Sequence, residues 1–190
     1  MRYFACILMA LLLLSGCELF KVRDSDPPGA APPWIDFATQ WDSTLTNLEY
    51  VYEDYRNAIK YSGLFSADFS FHFAPQDISD FSMPSTWTRT LEQDMIQLLH
   101  NRYEQIQVEL SDISGSDQIG ASEVKIYRAY LLTGILRTKE PSFNKQILAS
   151  GNLELQLRKT GGFWYIHKWY DYRSDGNSTW GRLKYENSSS

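Results

Sequence analysis

Three histidines, twelve tyrosines and a scatter of carboxylates are the residues of this chain able to move protons. His72 lies in FSFHFAP, residues 69–75. An imidazole titrates close to neutral pH and suits a general base. Asp68 offers a carboxylate nearby, and Tyr52 a hydroxyl donor for a developing oxyanion. His72, however, alternates with Phe69, Phe71 and Phe73, so if those rings face a core the imidazole faces the other way. His100 falls near a predicted helix end, where an imidazolium would meet the dipole favourably. His167 stands between Ile166 and Lys168 on the last predicted strand. A metal site built from the three histidines would require three separate elements to converge. Asp171 and Asp68 are candidate cavity carboxylates, although caps and turns account for such residues as well. No H-E-x-x-H, Walker or dinucleotide glycine pattern is present, so the expected set of cofactors and metals is none.

Cys17 carries a sharper signal. Tyr3–Leu14 is an apolar run behind Arg2, too short for the about 20 residues of a comfortable membrane span. The tetrapeptide Leu14-Ser15-Gly16-Cys17 resembles the lipobox of bacterial lipoproteins. That resemblance implies diacylglyceryl attachment to the Cys17 thiol, cleavage just before it and acylation of the new amino group. One acyl chain holds a protein on a membrane only marginally, whereas two or more anchor it stably. Glu18 follows, where aspartate is the familiar inner-membrane retention signal. The implied address is the bacterial cell envelope, on the periplasmic face of the outer membrane if the source has two membranes.

The other thiol, Cys6, would leave with the signal peptide, so the mature chain has no free cysteine for a disulfide, a nucleophile or a thiolate metal site. Cleavage leaves 174 of the 190 residues and takes the formal charge from −5 to −6 by removing Arg2. An acidic chain gives no global reason to bind nucleic acid. KVRDSDPPGAAPP (residues 21–33) reads as a tether, because Pro27, Pro28, Pro32 and Pro33 lack backbone donors and favour extended chain. The expected organisation is signal peptide 1–16, lipidated cysteine and tether 17–35, folded domain 36–174 and C-terminal extension 175–190, frayed at ENSSS.

Phe37, Trp41, Leu45, Leu48, Tyr52, Tyr55 and Ile59 recur at helical spacing, with Asp36 or Asp42 as the cap, Ser62-Gly63 as the stop and a break allowed near Arg56. A second helix is predicted from Thr88 to His100, burying Leu91, Met95, Leu98 and Leu99. The period then changes to two. Strands are predicted at FSFHFAP, around Ile106–Leu110, from Glu123, from Lys145 and from Gly162. Thr160-Gly161-Gly162 makes the last hairpin. Helices on one face of a curved antiparallel sheet would bury both apolar surfaces, giving an α+β domain.

This order resembles the nuclear transport factor 2-like fold, shared by ketosteroid isomerases and polyketide-cyclase-like proteins. The similarity covers roughly residues 40–173. It rests on LEYVYEDY, LFSADFSFHFAP and the closing W-x-I-x-x-W-x-D, matched by Trp164, Ile166, Trp169 and Asp171. TWGRLK (residues 179–184) also looks like tails of lipoproteins in this group. The resemblance implies a sheet curled around a cone-shaped cavity that binds a small apolar molecule, performs acid–base chemistry or is simply filled. It implies sheet-mediated dimers as well. Where the isomerases place their base this chain has His72, Phe73 and Ala74 and no carboxylate, which counts against that mechanism. The aromatics suggest binding instead. Trp164 and Trp169, with Tyr127 and Tyr130, would line a pocket, while Tyr165, Tyr170 and Tyr172 would form a stacking platform or a face covered by a second copy. The expected function is therefore non-catalytic binding of a small apolar ligand or a protein partner by a lipid-anchored protein. A cavity enzyme using His72 or Asp68 with Tyr52 is the alternative.

Overall fold

Leu48, Val51 and Tyr52 form the buried stripe of helix α1, Trp41–Glu53, in the computed structural model, which describes residues 30–113, 117–138 and 144–188. No side chain caps its start; Asp42 in the first turn meets the positive end of the helix dipole instead. The helix stops at Asp54, whose carboxylate accepts the Arg56 N–H and opens a 3₁₀ segment, Tyr55–Leu64. Its buried apolar residues are Ala58, Tyr61 and Leu64, three apart, as a helix of three residues per turn requires. The change of period turns Tyr55 and Ile59 out to solvent, and Phe37 lies ahead of the helix, so the ends of the predicted stripe are exposed.

Strand β1 (Phe65–His72) leads through α2 (Pro75–Phe81) and β2 (Thr86–Thr88) into α3 (Arg89–Arg102). The buried face of α3 is Glu92, Met95, Ile96 and Leu99, while Leu91 and Leu98 are exposed. The predicted face was rotated because a buried carboxylate reads as polar and hence as solvent-facing. Then follow β3 (Tyr103–Asp112), β4 (Gln118–Ile119), β5 (Glu123–Leu136), β6 (Gln146–Thr160), β7 (Phe163–Tyr172) and α4 (Trp180–Ser188). Among the described residues the seven strands make one sheet, ordered β2-β1-β7-β6-β5-β3, with β4 also against β5. All pairs are antiparallel except β1 with β7. Gly161 and Gly162, at φ of 60° and 90°, form the two-residue turn between β6 and β7, a backbone that only glycine adopts freely.

The W-x-I-x-x-W-x-D pattern has a geometric basis in β7. Ile166 pairs with Leu157 and Lys168 with Gln156, leaving His167 as an unopposed bulge residue. The extra residue shifts the alternation by one. Trp164, Ile166, Trp169 and Asp171 therefore all point to the concave face and are buried.

Candidate functional site

The concave interior is filled by α4. Trp180 is fully buried, its ring in edge or tilted contact with Tyr52, Tyr130 and Trp169 at centroid distances of 5.1, 5.1 and 4.6 Å. Its Nε1–H donates to the Tyr52 hydroxyl at 2.9 Å, Tyr52 and Tyr61 share a 3.2 Å hydrogen bond, and Tyr61 donates to Glu92 Oε2 at 2.7 Å. Lys184, one turn on, donates to Glu92 Oε1 at 2.8 Å. Its ammonium lies 3.8 Å from the ring centre of Trp169 and 4.0 Å from that of Phe71. Both members of the Glu92–Lys184 pair are fully buried. Burial pushes the Lys184 pKa down, opposed by Glu92 and Asp171. Burial, reinforced by Glu92, pushes those of Tyr52 and Tyr61 up.

The start of α4 is fixed as firmly. Thr179 caps it, accepting the Arg182 N–H at 3.0 Å and donating to the buried Asp77, which also holds Arg173. The Trp180 N–H goes to the Tyr130 hydroxyl at 2.8 Å, and the Gly181 N–H to Asp171 Oδ2 at 2.6 Å. Tyr130 donates to Asp171 Oδ1 at 2.7 Å. These contacts satisfy helix N–H groups that have no partner within the helix. A Cβ at Gly181 would meet Phe73 at 2.8 Å and Asp171 at 3.0 Å, so glycine is what lets α4 seat so deeply.

Burial raises the Asp171 pKa to about 6, although its hydrogen bonds pull the other way. Between the unfolded value and about 6 the folded chain binds the extra proton, so this group makes stability fall as pH rises through that window. Asp171→Asn is expected to flatten that slope. Urea unfolding midpoints between pH 4 and 6.5 read it directly, and an unchanged slope would assign the dependence elsewhere.

The sequence candidates do not converge. Tyr52, Tyr130, Asp171 and Trp169 belong to the closed interior, and Trp164 is buried beneath α1, its carbonyl accepting from Thr44 at 3.2 Å. His72 lies on the outer face of the sheet, stacked on Tyr170 at 4.2 Å and hydrogen-bonded to Ser70. Burial and nearby Lys168 lower its pKa. Tyr127 and the exposed Tyr172 stand on that outer face too. His100 donates to the Val51 carbonyl at 2.8 Å, and burial lowers its pKa.

Asp68 is exposed in a bulge where β1 runs past β7, with His167 Nδ1 at 3.2 Å and Ser66 Oγ at 2.7 Å. Ser66 approaches the same histidine nitrogen at 3.4 Å. A hydrolase triad needs serine and carboxylate on opposite nitrogens, so this cluster is not one. No three or more metal-ligating groups cluster among the described residues. Cys17 lies outside them. The residues that sequence reasoning missed are Glu92, Lys184 and Trp180. The one available signal was TWGRLK, a tryptophan and a lysine one helical turn apart.

Open spaces lie on the outside. A hollow of about 570 Å³ near His167 carries Lys125, Arg158 and Lys168, but Glu154, Glu123 and Asp68 pair with the first two at 3.4–3.5 Å and balance the charge. A second groove, about 540 Å³, is lined by aromatic and aliphatic side chains including Trp34, Ile35, Phe37, Ile59, Phe163 and Tyr165.

No family model and no curated protein matches this chain in sequence. Its shape does match solved structures. A conserved protein from Planctomyces limnophilus aligns with a TM-score of 0.56 at 9% identity, over 69% of this chain and 91% of that one. A protein of unknown function from Mycobacterium tuberculosis, Rv3472(D26N), aligns at 0.51 and 16% identity, over 68% of this chain and 66% of that one. The fold is the nuclear transport factor 2-like cone. A hexachlorocyclohexane dehydrochlorinase, LinA type 2, shares it at a TM-score of 0.50 and 11% identity, over 67% of this chain and 78% of that one. The cone therefore occurs both in an enzyme and in proteins without a stated activity, and the fold alone decides neither.

Proposed function

We propose that this chain is a lipid-anchored envelope protein that binds rather than catalyses, with its cone packed shut and its contacts made from outside. The observation that carries the reading is the complete burial of Trp180 and Lys184 in the concave space where a ligand of this fold would sit. A cavity enzyme needs a proton-transfer group able to reach its substrate. Here both oxygens of Glu92 and of Asp171 are engaged by the chain itself. His72, Asp68 and Tyr52, the residues an acid–base mechanism would recruit, lie on the outer sheet face, in an exposed bulge and in the core. This reading sets aside a small apolar ligand in favour of a partner. The outer face carrying Tyr127, Tyr170 and Tyr172 is the surface offered to a second copy.

Support for the anchor comes from the Leu14–Cys17 pattern and the proline-rich tether. In a two-membrane cell the address is the periplasmic face of the outer membrane. Native mass spectrometry of the protein extracted in detergent tests the three parts together. The expected species is a chain starting at Cys17, carrying lipid, with no further mass released on denaturation. A reproducible released ligand would sink the closed cone, and an unmodified Cys17 would sink the anchor. A monomeric mass would remove the outer face as a dimer surface.

A further inference from the structure

The groove beside the entry of the tether presents an apolar surface on a backbone that is pinned rather than frayed. Asn57 holds the Pro33 carbonyl at 3.0 Å, and Asn47 bonds both the N–H and the carbonyl of Ile35, at 2.8 and 2.9 Å. The Trp164 N–H holds the Ala38 carbonyl at 2.8 Å. Between these clamps Phe37 adopts φ of 57°, a left-handed conformation that is an outlier for a bulky residue. Its ring stands 74% exposed, 5.4 Å from the ring of Phe163, and Ile59 beside it is 78% exposed. Strain kept in place by surrounding contacts points to use of the strained position.

The composition of the groove selects its occupant. Three of the polar side chains that might read a sugar or a peptide are already committed: Asn47 to Ile35, Thr44 to the Trp164 carbonyl and Arg89 to the Ser62 carbonyl at 2.8 Å. What remains is tryptophan, phenylalanine, tyrosine and isoleucine, with Lys60 and one exposed carboxylate, Asp36, at the rim. Lys60 lies 4.9 Å over the Trp34 ring, and Lys159 lies 5.8 Å over that of Trp164. In a chain of net charge −5, three cations, Lys60, Arg89 and Lys159, around the single carboxylate of Asp36 are a local exception. Aromatic rings with lysines beside them are the side chains that settle at a lipid headgroup boundary. The chain that precedes the groove also bears on the choice. Pro33 stands sixteen positions along the chain from Cys17, a reach of at most about 55 Å when fully extended. A tether of that length holds the groove near its own membrane at an effective concentration on the order of millimolar, so a weak surface affinity is enough.

We infer that the Trp34–Phe37–Ile59 face is a membrane-docking surface that seats on the leaflet carrying the Cys17 anchor, with anionic headgroups meeting Lys60 and Lys159. This inference rests on the lipoprotein reading, and the test separates the two. Lipidation caps Cys17 and cleavage removes Cys6, so Ile59→Cys would introduce the one reactive thiol of the mature protein. The lipidated Ile59→Cys protein is labelled with an environment-sensitive dye and reconstituted in phosphatidylethanolamine–phosphatidylglycerol vesicles containing a lipid spin-labelled near the headgroup. Tyr172→Cys, on the outer sheet face, serves as the reference position. One dye per chain is expected. The dye at position 59 should be quenched at least threefold more than the dye at 172, and adding Phe37→Ser should remove at least half of that difference. Two or more dyes per chain would overturn the anchor, and the docking with it. One dye per chain with equal quenching at 59 and 172 would leave the anchor standing and overturn the docking surface alone, as would vesicle-independent protection of position 59 by a protein.

Discussion

Lys184→Met is expected to destabilise the protein by about 3–5 kcal/mol, because it strands a fully buried carboxylate on Glu92. For a body of this size that is a fall of roughly 10 °C in Tm. The thioether would still fill the space between Phe71 and Trp169, so the loss reports the charge rather than the volume. Adding Glu92→Gln should recover most of it, since glutamine keeps an acceptor for Tyr61 and leaves no charge behind. The Glu92→Gln variant should also respond to pH. An unpaired Lys184, whose pKa burial already depresses, sheds its proton more readily, so the cost of Glu92→Gln shrinks as pH rises. Thermal unfolding of the four proteins at pH 5, 7 and 9 decides the matter. Equal losses in Lys184→Met and in the double variant would show that the ion pair does not organise the core.

The same pair explains which parts of the molecule could be read in the chain and which could not. Strands β5, β6 and β7 announce themselves through alternation and through the Gly161-Gly162 turn, because both depend on neighbours in sequence. The helical stripe through Leu48, Val51 and Tyr52 is local for the same reason. Its continuation to Ile59 failed when the backbone tightened into a 3₁₀ segment after Asp54, a change of pitch that apolar spacing does not encode. The face of α3 came out rotated because Glu92 was placed in solvent, and its burial is made tolerable by Lys184, 92 residues away, and by the Tyr61 hydroxyl, 31 residues away. By the same logic the segment after residue 174 looked like an extension. A short helix with a lysine on its buried face has no apolar stripe to find. The cone was legible and its contents were not, since what fills it depends on pairings between residues far apart in the chain.

Trp180→Ala should show what those contents exclude. Removing a fully buried tryptophan costs about 3–5 kcal/mol through lost transfer energy and the cavity left behind. The Tyr52 hydroxyl also loses its indole donor. The void would open among Tyr52, Tyr130 and Trp169, so the variant should gain affinity for a small planar aromatic such as indole. Millimolar indole should therefore raise its Tm by a few degrees through mass action while leaving the parent protein unchanged. If the parent responds equally, the cone already admits ligands and α4 is no plug. If neither responds and Trp180→Ala is as stable as the parent, then α4 does not hold the core. The expected pattern, a loss repaired only in the variant, would make this helix the cone's permanent occupant. The cone would then be, in this chain, a solid support that presents its outer surfaces, the aromatic sheet face and the groove at Phe37, to whatever the protein meets.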